Sequence, residues 1–168
     1  MKSMYPPSKG PVITRVTITE WGDFECPFCA QARSWINEIM DPYPNDVRLV
    51  FKQFPLPMHR NAMYAAQASL AAHAQGKFWE MSDQMFDNYR RLTPENITMW
   101  AKEDLGLDMG RFLKDVNAAK KQVEREMKEG ADADVQGTPT FFFNGKKYTG
   151  HRDLMEASRI IQAELATH

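Results

Sequence analysis

Only two cysteines occur among the 168 residues. That excludes a disulfide-dense scaffold and a four-cysteine zinc site within one chain. Neither sign of charge is in surplus, since 21 basic and 22 acidic residues leave a net charge of −1. A nucleic-acid binder held by bulk positive charge is thereby excluded. No apolar run approaches the roughly 18 residues that a membrane-spanning helix needs. Internal repeats and low-complexity blocks are absent too. What is present is ordinary: 43% hydrophobic and 26% charged residues, enough for one globular domain with a sizeable core and an inserted segment.

Residues 1–11 are polar and proline-rich and read as a mobile tail. They lack the apolar stretch of a secretory signal. The chain is therefore expected to be either cytoplasmic or a mature form whose targeting segment lies outside it. From Val12 to Glu20, β-branched residues mark a strand. Val16, Ile18 and Glu20 share one face by the period of two, so an acid falls on an apolar face. A loop over 21–25 leads to Cys26, with Pro27 at the first helical position and Cys26 at the N-cap. Helical spacing then runs through Phe28, Cys29, Ala32, Trp35, Ile36, Ile39 and Met40, until Asp41-Pro42 ends it. Val47 to Phe54 reads as a central strand.

A helical block of about 57–130 follows. One helix is expected over Met58–Gln75 with Gly76 as its stop, and a second around Phe78, Trp79, Met85 and Phe86. A third opens at Thr93-Pro94-Glu95. A fourth, capped by Asp108, carries Phe112, Leu113, Val116, Val123 and Met127 inward. The chain returns to strand at Thr140–Phe143, turns at Asn144-Gly145, and pairs back over Lys146–Thr149. A last helix spans about Asp153–Ala166. The order is βαβ, helical insertion, ββα, an α/β arrangement.

Cys26-Pro27-Phe28-Cys29 is the central chemical signal. Two thiols three residues apart at a helix start lie within disulfide reach and are unequal. Cys26 meets free backbone N–H groups and the positive helix end, which favour a thiolate. Cys29 sits inside the first turn. Cys26 is thus expected to attack and Cys29 to resolve. A structural disulfide or half of a zinc site would use the same spacing, but a strand before and a helix after are the redox context. His59, His73, His151 and His168 show no ligand spacing, and no metal is expected. Gly137-Thr138-Pro139-Thr140 is the second signal. A proline just ahead of a strand removes a ladder donor, and local sequence alone favours an ordinary trans turn.

These motifs resemble the thioredoxin superfamily, and more closely its DsbA-like thiol–disulfide oxidoreductases. The resemblance runs from about Val12 onward, the 12–168 domain. It rests on Gly22-Asp23-Phe24-Glu25-Cys26-Pro27-Phe28-Cys29, Lys52-Gln53-Phe54-Pro55-Leu56, Gly76-Lys77-Phe78-Trp79-Glu80-Met81 and Gly137-Thr138-Pro139-Thr140-Phe141. It implies a thioredoxin fold with a helical insertion, a cis Pro139 beside the dithiol, and strand-like pairing of substrate with the backbone at Thr138. It implies that Glu20 is a buried acid that relays the proton of the resolving thiol, with Lys52 accompanying it. Asp23 and Glu25 read as exposed loop acids that slightly oppose the thiolate. His59 reads as a helix-start histidine with no chemical duty.

The expected activity is exchange of a redox-active Cys26–Cys29 disulfide with cysteines of protein substrates, without another cofactor. Phe28 offers no hydrogen bond to the thiolate and Pro27 removes one backbone donor. The Cys26 pKa is therefore expected at about 4.5–6, with a potential between the oxidising and reducing extremes of the superfamily. Disulfide donation to exported proteins is the first reading, in the periplasm or cell envelope of a bacterium. Thr138 stands where strongly oxidising DsbA proteins commonly carry valine, so an isomerase or reductase is the alternative. A redox-inert module clamping zinc between two copies is a third. A monomer is expected, served by an unidentified re-oxidising or reducing partner, with no nucleic acid and no membrane span.

Overall fold

The computed structural model describes residues 5–150 and 153–167. Its sheet is built from Ser8–Lys9 (β1), Val16–Gly22 (β2), Val47–Gln53 (β3), Thr140–Phe143 (β4) and Lys146–Lys147 (β5), in the order β1-β3-β2-β4-β5. β2 and β3 run parallel, with Glu20 beside Phe51 and Trp21 beside Lys52. β4 pairs antiparallel with β2, placing Phe141 beside Glu20 on its other side. The expected hairpin turn forms at Asn144 (φ 48°) and Gly145 (φ 79°), a left-handed pair that glycine and asparagine tolerate best. The antiparallel β4 closes the ββα half against the same central strand that opens the βαβ half. Residues 20–29 and 138–141 are thereby brought together although more than a hundred residues separate them.

Pro27–Met40 (α1) links β2 to β3 and buries Cys29, Ala32, Trp35, Ile36 and Ile39. That stripe joins Val16, Ile18, Val47, Leu49, Phe141 and Phe143 of the sheet, together with Ala157 and Ile161 of the last helix, in one apolar cluster. Between β3 and β4 come Ala62–Ala74 (α2), Phe78–Asp87 (α3), Pro94–Met99 (α4), Met109–Ala118 (α5) and Lys120–Asp132 (α6), and Leu154–Ala166 (α7) closes the chain. These helices build a second cluster that holds Phe24, Cys26, Cys29, Phe51, Phe78, Met81 and Trp100. The dithiol therefore lies where the sheet meets the inserted helices. α6 covers the opposite face of the sheet: a Cβ at Gly130 would stand 3.0 Å from the Trp21 ring and 2.9 Å from Phe54.

Five differences from the sequence expectation are seen. Residues 5–11, read as part of a mobile tail, lie along the sheet. Ser8 and Lys9 pair with Val50 and Leu49, and Phe51 N–H donates to Pro7 O at 2.9 Å. The outer edge of β3 has backbone groups that need partners, and this segment supplies them. β2 begins only at Val16, leaving Val12 and Ile13 exposed. α2 begins at Ala62 rather than Met58, because the residues before it are fastened to the loop preceding α1. The fourth helix is two helices meeting at Ala119, and the third runs on into a π-helical turn at Trp100–Asp104.

Candidate functional site: a dithiol at a helix start

Cys26 is the N-cap of α1, in extended geometry (φ −80°, ψ 119°), with Pro27 in the first turn. Its N–H donates to Asp23 O at 3.1 Å, and its carbonyl accepts from Cys29 and Ala30 N–H. Both thiols are free, and they are buried unequally, Cys26 being 3% exposed and Cys29 not at all. The Cys26 thiol falls from an ordinary 9.0 to about 5. The hydrogen bond from Cys29 is the largest cause. Burial opposes it, and the Thr138 hydroxyl and the Cys29 and Phe28 N–H groups add to it. The Cys29 thiol is pushed well up, first by burial, then by the hydrogen bond to Cys26 and the charges of Cys26 and Glu20. The pair thus divides the work, one sulfur as thiolate and the other as its proton-bearing donor.

The Thr138–Pro139 bond is cis. Thr138 O lies 3.6 Å from Cys26 Sγ and can accept from it only while that sulfur is protonated. The Thr138 hydroxyl is buried without a partner of ordinary hydrogen-bond geometry, yet it acts on both sulfurs to lower them. Phe28 is 57% exposed beside this pair, so it presents an apolar ring to solvent next to the reactive sulfur.

Glu20 is wholly buried, and neither carboxylate oxygen has a hydrogen-bond partner among the described residues. Burial raises its carboxyl above the usual range, against the opposing charges of Arg33 and Lys9. Lys52 is not its companion. It stands beside Trp21, one residue out of phase, so its side chain leaves on the other face of the sheet. There its ammonium binds Glu129 and lies 5.5 Å from the centre of the Trp21 ring. The cations on the Glu20 face are Arg33 of α1, stacked over Phe86 and Trp79, and Lys9 of β1, over Trp79. The sequence offered no signal for either. Arg33 occurs in a helix of mixed polarity, and Lys9 falls in the segment read as a tail.

Asp23 is not an exposed acid. Its carboxylate has no exposed surface and accepts from Glu25 N–H (2.8 Å), Leu56 N–H (2.9 Å) and His59 Nδ1 (2.6 Å). Glu25 is likewise engaged, accepting from Asn61 N–H at 2.7 Å. His73 lies on α2 with Nε2 3.2 Å from Tyr5 O, while His151 and His168 fall outside the described residues. Among the described residues no group of three or more His, Cys, Asp or Glu is arranged to hold a metal, and no helix is long and apolar enough to cross a membrane.

A parallel βαβ unit, a helix-start dithiol and a cis X–Pro bond abutting it together define a thioredoxin-type thiol site. The thioredoxin family profile matches residues 5–163, and the chain belongs to that family. Its fold is that of the DsbA-like members. It superposes on BdbD from Bacillus subtilis with a TM-score of 0.84 at 24% identity, covering 96% of this chain and 93% of that one. DsbA from Chlamydia trachomatis gives 0.80 at 16% identity, covering 100% and 95%. Among curated proteins, the Na(+)/H(+) antiporter NhaA 1 of Salinispora arenicola is 37% identical over 161 residues, which is 94% of this chain and 24% of that protein. An NhaA antiporter of Herminiimonas arsenicoxydans is 34% identical over 157 residues, 92% and 25%. The chain spans about a quarter of the length of these curated relatives, so the likeness concerns one stretch of each.

Proposed function

We propose that this chain is a thiol–disulfide oxidoreductase that exchanges the Cys26–Cys29 disulfide with cysteines of protein substrates, acting chiefly as a disulfide donor. The observation that carries the reading is geometric: Cys26 caps the start of α1 with its sulfur at the Thr138 carbonyl ahead of Pro139, while Cys29 lies fully buried in the first turn, and the thiols are displaced oppositely to match. A substrate thiolate attacks Cys26 Sγ of the oxidised chain, and the S–S electron pair passes to Cys29. Cys29 takes a proton, which the raised Glu20 carboxyl, whose charge acts on Cys29, is suited to supply. A second substrate thiolate then attacks the substrate sulfur of the mixed disulfide and expels Cys26. The substrate gains a disulfide, this chain gains two electrons, and the stable Cys26 thiolate is a good leaving group. No cofactor beyond this disulfide is required.

The backbone at Thr138 and Pro139 is the surface on which an extended substrate segment would lie, next to the sulfur that Thr138 O already contacts. An oxidising compartment, the periplasm or cell envelope, suits such a donor, with a separate partner restoring the disulfide. Thr138 stands where strongly oxidising DsbA-like proteins commonly carry valine, and that departure keeps an isomerase or reductase as the second reading. Oxidation of a reduced two-cysteine peptide, set against recovery of activity from scrambled ribonuclease, separates the two. A Cys29→Ser chain should accumulate mixed disulfides with substrates that reductant releases. If nothing is trapped and zinc copurifies at about half a mole per chain, a redox-inert clamp is the correct reading instead.

A further inference from the structure

The segment between β3 and α2 is fastened to the loop before α1 through two acids. Asp23 alone takes three donors, and one of them is the His59 imidazole at 2.6 Å. Leu56 N–H and Asn61 N–H already secure that segment at 2.9 and 2.7 Å, so an imidazole is not needed to hold it. What His59 adds, once protonated, is a positive charge, its side chain 22% exposed at the rim and resting on a carboxylate with no exposed surface. The same Asp23 accepts the Cys26 N–H on its main-chain oxygen at 3.1 Å, so imidazole, acid and attacking cysteine form one contiguous unit.

A negative carboxylate three residues before Cys26 would by itself oppose a thiolate there. Paired with an imidazolium it does not. The dipeptide between the cysteines has no side-chain donor or cation to offer, and the Cys29 S–H brings no charge, so a positive side chain facing the thiolate has to come from elsewhere. We propose, on the exchange chemistry read above, that His59 is a positioning residue of that reaction: locked by Asp23, its imidazolium stabilises the attacking Cys26 thiolate across the loop.

The charged groups facing His59 are Asp23 and Glu25 of the loop and Cys26 at the start of α1. Burial pulls the imidazole down, but those three groups push it up further, and the result is a raised value. Around Cys26 itself stand Cys29 of α1, with Glu20 of β2 acting on Cys29, and the uncharged Thr138 ahead of β4. The proton on Nδ1 follows from its acceptor, since an ionised carboxylate can only accept.

The test is the pH dependence of iodoacetamide alkylation of Cys26 in the reduced full chain, with His59→Gln and His59→Lys beside the parent. Loss of the charge should raise the Cys26 midpoint by about half a unit to one unit, an approximately three- to tenfold loss of thiolate below the midpoint. Lysine should restore most of it while glutamine does not, a pattern that a merely structural role would not produce. A His59→Gln midpoint that stays where the parent's lies, or a His59→Lys midpoint no lower than that of His59→Gln, overturns the inference. Should His59→Gln fail to fold, the parent's own profile decides: a second step in rate as the imidazolium loses its proton is required, and its absence overturns the inference. A parent chain that exchanges no disulfide with any peptide overturns the functional reading alone, since the alkylation midpoint is read without substrate.

Discussion

The Cys29 thiol, pushed up first by burial, is pushed further by the charge of Glu20, which sits where that charge is itself poorly tolerated. Each group therefore favours the protonated form of the other. A buried carboxyl whose oxygens lack partners among the described residues, and whose charge acts on the sulfur that leaves as a thiolate, can supply the proton that this departure consumes.

Replacing Glu20 by glutamine should therefore stabilise the fold and slow the chemistry. The folded carboxyl titrates above the ordinary 4.5, so the folded chain holds its proton more tightly than the unfolded one. Stability is full below pH 4.5 and is lost as pH rises through the folded value. Glu20→Gln removes that loss, so at pH 7.5 it should melt later, by about 1–2 kcal/mol, with no such gain at pH 4. The same variant should release substrate from the mixed disulfide more slowly in stopped-flow measurements. A variant less stable at both pH values would refute the account of Glu20 as an uncompensated acid.

The reduced and oxidised forms should differ in stability in a pH-dependent way. Cys26 is held at about 5 in the folded reduced chain against 9.0 ordinarily. Between pH 5 and 9 the folded reduced chain thus binds fewer protons than the unfolded one, so its stability rises with pH across that window and is lost as pH falls towards 5. Cys29 stays protonated in both states below pH 9 and contributes nothing there. The oxidised chain has no thiol to ionise. Urea melts at pH 7.5 should find the reduced form favoured by ~2–4 kcal/mol, with the gap shrinking at pH 5. An oxidised form that is the more stable at pH 7.5 would mean a chain poised for reduction.

The dithiol and its helix were legible because their determinants are local. Pro27 after Cys26 fixes the helix start, and the apolar stripe from Cys29 to Ile39 fixes the buried side. The period of two along Val16, Ile18 and Glu20 placed the acid inward, where it is found. The same period, counted across a strand pairing, would have placed Lys52 on the far face, but that requires the register of β2 against β3, which no single segment encodes. Asp23 with His59, and Lys9 with Asn37, are contacts across 36 and 28 residues. Their loops have no periodicity to read, so composition alone made Asp23 a surface acid and Lys9 part of a tail. The acidity of Cys26 was expected in range but for a different leading cause, since the Cys29 S–H outweighs the backbone N–H groups of the helix start.

Phe28→His should make the chain a stronger oxidant. Phe28 is 57% exposed, so the change costs little packing. An imidazole there can donate to the Cys26 thiolate from within the turn, a charge-assisted bond of the kind that lowers thiol values most. The alkylation midpoint should fall below the present value of about 5, and equilibrium with glutathione should shift towards the dithiol by about tenfold. An unchanged glutathione equilibrium alongside a lowered midpoint would uncouple thiol acidity from redox direction in this chain.

Lysine at two positions on β1 and β3 offers a contrast that tests which cation serves the buried acid. Lys9 lies at the edge strand with its ammonium on Asn37 and over the Trp79 ring, and its charge lowers the Glu20 carboxyl. Lys52 binds Glu129 on the other face. Lys9→Met should raise the Glu20 carboxyl further and change the rate at which Cys29 releases glutathione from Cys26 by about threefold or more. Lys52→Met should leave that rate within about twofold, because an exposed pair screened by solvent contributes little at a distance. Infrared difference spectra of the carboxyl, recorded with each variant's melting curve, separate an electrostatic effect from a loosened edge strand. A Lys52→Met chain that slows more than Lys9→Met would return the role to the strand lysine and would require Glu20 to reach across the sheet, against the observed register.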